Sequence, residues 1–465
     1  MAGAAHAARA GATDGMRAAA RAACAAAGRE PPPWLEEAPL LHEDVQTGVT
    51  VPALGPEVRG DLERLARRLR PQIFRTHLYG HLVEHFVSRH GRGGTCRDVL
   101  GFLSSFLDRP DATALLTDSA RRDQRRRRLV GDPRAAAPAP AAPRLVDLDA
   151  GPAPAATVLF QLAAPSGAAL ARGGHTLVVN QLQKGVGGMV ARFLPLLGDR
   201  TALPAELRRW VARHCAGALP LEIPVASDWS GLQQPTGLFR RLRWPGEVPA
   251  GDDEQALALA DLVLAHDPAS SFLLLHDRGG GRLAPVYLGT APAYLTFGPL
   301  RLLLTLADPW ILPGAATPSP LDPPAAPAAA VEHDHRVVDG RLVLRRSRWR
   351  VPVEEFPRPL PAEPPVETLE RADAWRRRWG VPLEVFVTAE RRHVPVDPGR
   401  RKPLWLSFAS VHSLRQAAAL LDEDVVAVGL TEALPGRGDA WLRDLAGRSR
   451  ASEFLALLGW PEEAR

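Results

Sequence analysis

The sequence is poor in cysteine: Cys24, Cys96 and Cys215 are the only three in 465 residues. None forms a CxxC pair, which excludes a zinc site of cysteine ligands and a disulfide framework, and points to a reducing cytoplasm. No stretch approaches the ~20 uninterrupted apolar residues of a membrane span. The first segment, MAGAAHAARAGATDGMRAAARAACAAAG, is small and basic but lacks the leucine-rich middle of a secretory signal. GVGGMVARF (185–193) has no GK[ST] and is not GxGxxG, so a Walker loop and a dinucleotide fingerprint are both absent. GxSxG is missing as well, and ASDWSGL is not a nucleophile elbow.

What is present is an ordinary globular composition, 46% apolar and 23% charged. Lys+Arg is 57 against 52 for Asp+Glu, so the net charge is only +5 and the pI near 9.6 reflects arginine in place of lysine. Arginine keeps its proton and grips carboxylates and phosphates in a planar fork, which permits an anionic partner such as RNA without requiring one.

Spacing divides the chain. Residues 1–30 read as an Ala-rich tail, closed by the prolines of REPPPW. Residues 31–130 read as a helical region: Leu62, Leu65 and Leu69 share one face, then Leu78, Leu82, Val83 and Phe86 another, with a shorter helix over 96–109. SARRDQRRRRLV is a charge run, read foremost as solvated, and the Pro/Ala stretch 131–144 is the expected linker. Residues 145–311 read as a mixed α/β subdomain, with strands at TVLFQLAA and HTLVVNQLQ and a hairpin turn at DRGGGR. A second linker, 312–330, precedes a C-terminal α/β subdomain, 331–465, with a helix near 366–379, a strand at EVFVTA and two closing helices.

Several groups invite chemistry. The glycine turn before Arg192 could present backbone N–H groups to an anion, although spacing alone favours an ordinary strand–helix turn with Arg192 solvated. His276 and Asp277 are adjacent, so on a strand they face opposite ways and make a poor acid–base pair. His333 and His335 could share a metal on one strand face, but no further ligand cluster accompanies them, and no metal is expected. RVVDGRLVLRRSRWRVP (336–352) is the most unusual stretch, with Arg345, Arg346, Arg348 and Arg350 set around Trp349.

The order of motifs carries a resemblance. HLYGHLVEHFVSRHG, HTLVVNQLQKGVGGMVARFLPLL, LALADLVLAHDPASSFLLLHDRGGGRLAPVYLG, HRVVDGRLVLRRSRWRVPVEEFP, VFVTAERRHVPVDPGRRKPLWLSF and VVAVGLTEALP follow one another as their counterparts do in lantibiotic dehydratases. Over roughly residues 40–440 the chain resembles the middle and C-terminal part of that family's glutamylation domain. The resemblance implies a mixed α/β (α+β) glutamylation-domain-like core with mixed sheets, preceded by a small helical region. It implies an aminoacyl-tRNA-dependent acyltransferase that moves glutamate from glutamyl-tRNA onto Ser/Thr side chains of a ribosomally made precursor peptide. No cofactor beyond that co-substrate is expected.

Arg192 matches the family's Arg-Phe pair and, with Arg341, is the expected catalytic guanidinium. Arg345, Trp349, Lys402 and Glu432 are the expected tRNA- or substrate-binding residues, with Trp349 stacking on a base or sugar. There are departures: Ser407 stands where an acid is common, and TEALP has one glutamate where two are common. The family's upstream portion and its elimination domain have no counterpart here, so a split or truncated component is expected, with an elimination protein and an upstream half supplied in trans. Two rival readings share the fold: a non-catalytic peptide- or tRNA-binding scaffold, and the branch that ligates amino acids from aminoacyl-tRNA to a peptide.

Overall fold

The helices of the first hundred residues start where local chemistry favours it. Pro56 and Glu57 open the helix Pro56–Leu69, and Arg67 and Arg68 close it, the charge order that complements a helix dipole. Thr76 caps His77–His90 by accepting from the Leu78 N–H at 3.3 Å, and Gly91 at φ 80° ends it. Asp98 caps Val99–Leu107, accepting from Gly101 at 2.8 Å. This computed structural model describes residues 6–37, 54–130, 152–187, 190, 193–194, 201–224, 236–245, 256–289, 296, 298–312, 327–392 and 402–460.

The chain divides into two units, residues 1–48 and 49–465. In the first, the segment read as a tail is a helix, His6–Ala26, and Arg21 pairs with Glu36 through two bonds of 2.8 and 2.6 Å.

In the second unit, the charge run is folded helix, Ala112–Val130. Asp123 is buried within it and accepts from Thr76 Oγ1 at 2.5 Å and from the His77 N–H at 3.0 Å, tying this helix to the start of another. Arg126 lies over the Phe74 ring at 4.4 Å.

Three larger sheets follow. A seven-stranded sheet runs in the order Thr95–Cys96, Leu262–Asp267, Phe272–Asp277, Arg282–Val286, Leu219–Glu222, Arg240–Arg243, Leu257–Ala258. Its central hairpin turns at DRGGGR, as the glycines require. A first five-stranded sheet runs Val337–Asp339, Leu342–Arg345, Thr176–Lys184, Ala155–Ala163, Phe454–Gly459, with Leu342–Arg345 parallel to Thr176–Lys184. A second runs Glu332–Asp334, Arg348–Val351, Val425–Glu432, Glu384–Arg391, Leu404–Ser407, all antiparallel.

One apolar core joins Val58, Leu65, Phe86 and Phe106 of the helices to Phe160, Leu177, Phe272, Trp310 and Leu342 of the sheets. The boundary expected at 131–144 therefore separates no cores. A second core lies under one face of the second five-stranded sheet, from Trp349, Val351, Val385, Val387, Leu406, Val428 and Leu430, covered by the helices Pro365–Arg378 and Val411–Ala418. The expected pair of closing helices is corrected to one, Val411–Ala418. The stretch FLALLG forms the strand Phe454–Gly459, because it pairs with Ala155–Phe160 and completes the first five-stranded sheet. Among the described residues no helix is long and apolar enough to cross a membrane.

Candidate functional site

The stretch 341–349 links the two five-stranded sheets: Leu342–Arg345 belongs to one and Arg348–Val351 to the other. Arg341 precedes the first of these strands. Its Nε donates to Asp61 Oδ2 at 2.9 Å and its Nη2 to Glu57 Oε2 at 2.8 Å and Asp61 Oδ1 at 3.2 Å. Asp61 also accepts from His175 Nε2 at 3.0 Å, and both side chains are buried. The bond to Asp61, helped by Glu57, holds the Arg341 guanidinium above its ordinary value. Arg341 and His175 line a shallow hollow of about 490 Å³ with Ala163, Gly173, Leu434 and Asp439. The partners Asp61 and Glu57 were not legible beforehand, since they lie 280 and 284 residues from Arg341 and sit on a helix that reads only as amphipathic.

At the other end of the strand the surroundings change. Ser347 is clamped to Glu432: its N–H donates to Glu432 Oε1 at 2.8 Å and its carbonyl accepts from the Glu432 N–H at 3.0 Å. Arg336 reaches the same carboxylate through two bonds of 2.8 and 2.5 Å. Glu432 is thus buried and fully engaged within the chain. Arg346 donates to neutral groups, the Leu434 carbonyl, Gln161 and Asn180, and burial pushes its guanidinium down. Among the described residues the buried Nε and Nη2 atoms of Arg345 have no hydrogen-bond partner. Among the described residues Arg348 makes no ion pair; burial first, then the charge of Arg345, pushes it down, against the pull of Asp334.

Trp349 requires a correction. It is 3% exposed, its indole N–H donates to the Trp379 carbonyl at 3.0 Å, and His333 stacks on its ring at 4.4 Å. It is a core aromatic with no face left for a base. His333 and His335 lie 4.1 Å apart ring to ring, and among the described residues no group of three potential metal ligands exists. Among the described residues His276 bonds to no acid; its Nδ1 faces the Gly280 carbonyl at 3.3 Å, while Asp277 holds the turn by accepting from the Gly281 N–H. Lys402 is exposed just ahead of the strand Leu404–Ser407. Arg192 lies outside the described residues; the turn before it is described through Gly187, at φ 68°, where a Cβ would meet Leu288 Cδ2 at 2.9 Å, so only glycine fits. The structure thus brings Arg345 and Glu432 to one joint, sets Arg341 apart at a latch, and leaves Lys402 on the surface.

This fold resembles that of solved glutamylation-domain structures. The glutamylation domain TbtB from thiomuracin biosynthesis, bound to 5'-phosphodesmethylglutamycin, is 20% identical over 86% of this chain and 50% of its own, with a TM-score of 0.56. The same domain without that compound gives 21% identity, the same coverage and a TM-score of 0.55. The tRNA dependent lantibiotic dehydratase MibB from Microbispora sp. 107891 is 20% identical over 82% of this chain and 38% of its own, with a TM-score of 0.55. The chain therefore spans half or less of the length of these structures. The profile of the family "Lantibiotic dehydratase, N terminus" matches residues 5–402, and the chain belongs to that family. No curated protein matches it in sequence.

Proposed function

We propose that this chain is a glutamylation component that transfers glutamate from glutamyl-tRNA to Ser/Thr hydroxyls of a precursor peptide, working with functions that lie outside the matched half of its longer relatives. The observation that carries this reading is the overlay of 86% of the chain on half of a glutamylation domain. In the reaction, a side-chain hydroxyl attacks the ester carbonyl, its proton leaves, and the tRNA 3′ end departs as an alcohol. Negative charge grows on the carbonyl oxygen, and fixed cations lower that barrier. Arg192 is the residue we assign to the glutamyl carboxylate or the oxyanion. Arg341, saturated by Asp61 and Glu57, acts by positioning the hollow's wall and touches no reacting atom. Arg345 and Lys402 are assigned to RNA phosphates.

The test is reconstitution of the chain, its partner proteins, glutamyl-tRNA and the precursor, followed by mass spectrometry. The expected result is one glutamyl gain, or its eliminated product, per modified hydroxyl. Arg192→Ala should abolish it. A peptide of unchanged mass with every partner present rejects the reading; an amino acid added only at the peptide's C-terminus replaces it with the ligase branch.

A further inference from the structure

The strand Thr176–Lys184 runs into the turn Gly185–Gly187, which leads in sequence to Val190 and Arg192. Three parts of the fold meet at that turn. The Gly185 N–H donates to the Ala155 carbonyl at 2.9 Å. Gly187 packs against Leu288, and its carbonyl accepts from the Val190 N–H at 3.1 Å, with Val190 buried among Leu207, Val211 and Val286. The third part is the bend 308–310, after the helix Gly298–Ala307. Lys184 Nζ donates to the Asp308 carbonyl at 2.9 Å, across 124 residues of chain. Gly185 stands at φ 92°, and a Cβ there would meet Asp308 Oδ2 at 3.3 Å, so the turn runs directly against the carboxylate. Burial pushes the Asp308 carboxyl up, against the pull of the Lys184 charge.

The bend itself is held from several sides. Asp308 Oδ1 accepts from the Trp310 N–H at 3.2 Å, and the Pro309 carbonyl accepts from the Thr76 N–H at 2.9 Å. Trp310 is 1% exposed and donates its indole N–H to the Pro152 carbonyl at 2.7 Å. A lysine at the end of a strand ordinarily keeps its ammonium in water. Here the ammonium is turned onto a fixed bend beside an acid, an arrangement that adds little stability and constrains geometry. We propose that Lys184 and Asp308 are positioning residues for the proposed transfer: they fix the Gly185–Gly187 turn to the main core, and through it the start of the segment that carries Arg192. Neither touches a reacting atom. The inference rests on the proposed function, in which Arg192 meets the glutamyl carboxylate or the oxyanion, because a cation lowers such a barrier only when it is held in place beforehand.

Hydrogen exchange of the full chain, followed on peptides spanning residues 185–190, tests the staple without any substrate. Lys184→Met and Asp308→Ala should each speed exchange there by about 10- to 100-fold, the loss expected for a bond to a charged group. The strand Glu384–Arg391, in the other core, should exchange as in the parent. In the reconstituted reaction Lys184→Met should lower kcat by about 10- to 100-fold and keep the KM for the precursor within about twofold. Lys184→Arg, which keeps the charge and a donor, should restore most of both. Gly187→Ala, strained at φ 68° and pressed on Leu288, should also lower kcat, and adding Lys184→Met to it should cost little more, since both act through one turn. Exchange that matches the parent, exchange that speeds throughout the chain, or losses that simply multiply in the double variant overturn the proposal. A parent that is inactive with every partner present rejects the glutamylation reading and this role with it. An active parent that Lys184→Met leaves unimpaired overturns this role alone, so the two failures are distinguishable.

Discussion

Arg341 and Arg345 bracket one four-residue strand, and their surroundings are opposite in kind. Arg341 is answered by Asp61 and Glu57, with buried His175 on the far side of Asp61. The buried Nε and Nη2 of Arg345 have no acceptor among the described residues, and its neighbour Arg348 is a second cation. Burying a charge is costly unless it is paired and hydrogen-bonded, so the first arrangement holds the fold together and the second gives it no such support. A run of arginines in a sequence is therefore not one site. The carboxylates that the fold brings to each guanidinium decide which are structural.

The contrast can be broken most sharply at Asp61. Asp61→Ala leaves buried His175 and Arg341 without their shared acceptor, and should lower the unfolding free energy by about 3 kcal/mol, the low end for a broken buried pair because Arg341 is partly exposed. Urea unfolding measures this as a fall in midpoint at constant slope; a loss under about 1 kcal/mol would make the latch incidental. Arg341→Ala keeps the Asp61–His175 bond and should cost about 1 kcal/mol in the same assay. Arg345→Met, at the other end of the strand, should change stability by no more than about 0.5 kcal/mol in either direction. A larger loss would mean that Arg345 is a structural residue after all.

The subtlest test concerns a carboxylate answered as fully as Asp61. Glu363 accepts from Arg371 at 2.9 and 2.7 Å, the Leu360 N–H at 3.0 Å and Thr368 Oγ1 at 2.8 Å, and these donors, Arg371 foremost, bring its carboxyl from 4.5 down to about 2. A depressed pKa stabilises the fold above the unfolded value and ceases to do so as pH falls through the folded one. The stabilisation should hold above about 4.5 and vanish by about 2. Glu363→Gln should be less stable than the parent at neutral pH and indistinguishable below pH 2; a difference that persists in strong acid would assign the effect to packing.

Much of the architecture was readable because its signals are local. The helix Pro56–Leu69 follows from apolar spacing and a proline start, and the strands around Trp349 follow from alternation. The order of motifs pointed to the family and to its fold, and both hold. What was not readable depends on distant partners. Nothing near Asp61 marks it as the partner of Arg341, nor Asp123 as the anchor of a helix that begins 46 residues earlier. The run FLALLG is six residues long, too short for periodicity to separate strand from helix, and only its pairing with Ala155–Phe160 decides. Trp349 among four arginines looked like an exposed ring, but alternation alone could not say which face of the sheet the second core would cover.

That last-formed pairing bears on biogenesis. The strand 454–459 completes a sheet laid down by residues 155–163, so the sheet stays unfinished until synthesis has passed residue 459. In the interval the rim of 155–163 offers unmet amide and carbonyl groups, a template for pairing between nascent molecules. Polypeptides stalled before Phe454 should therefore be the form most prone to aggregate in the cell.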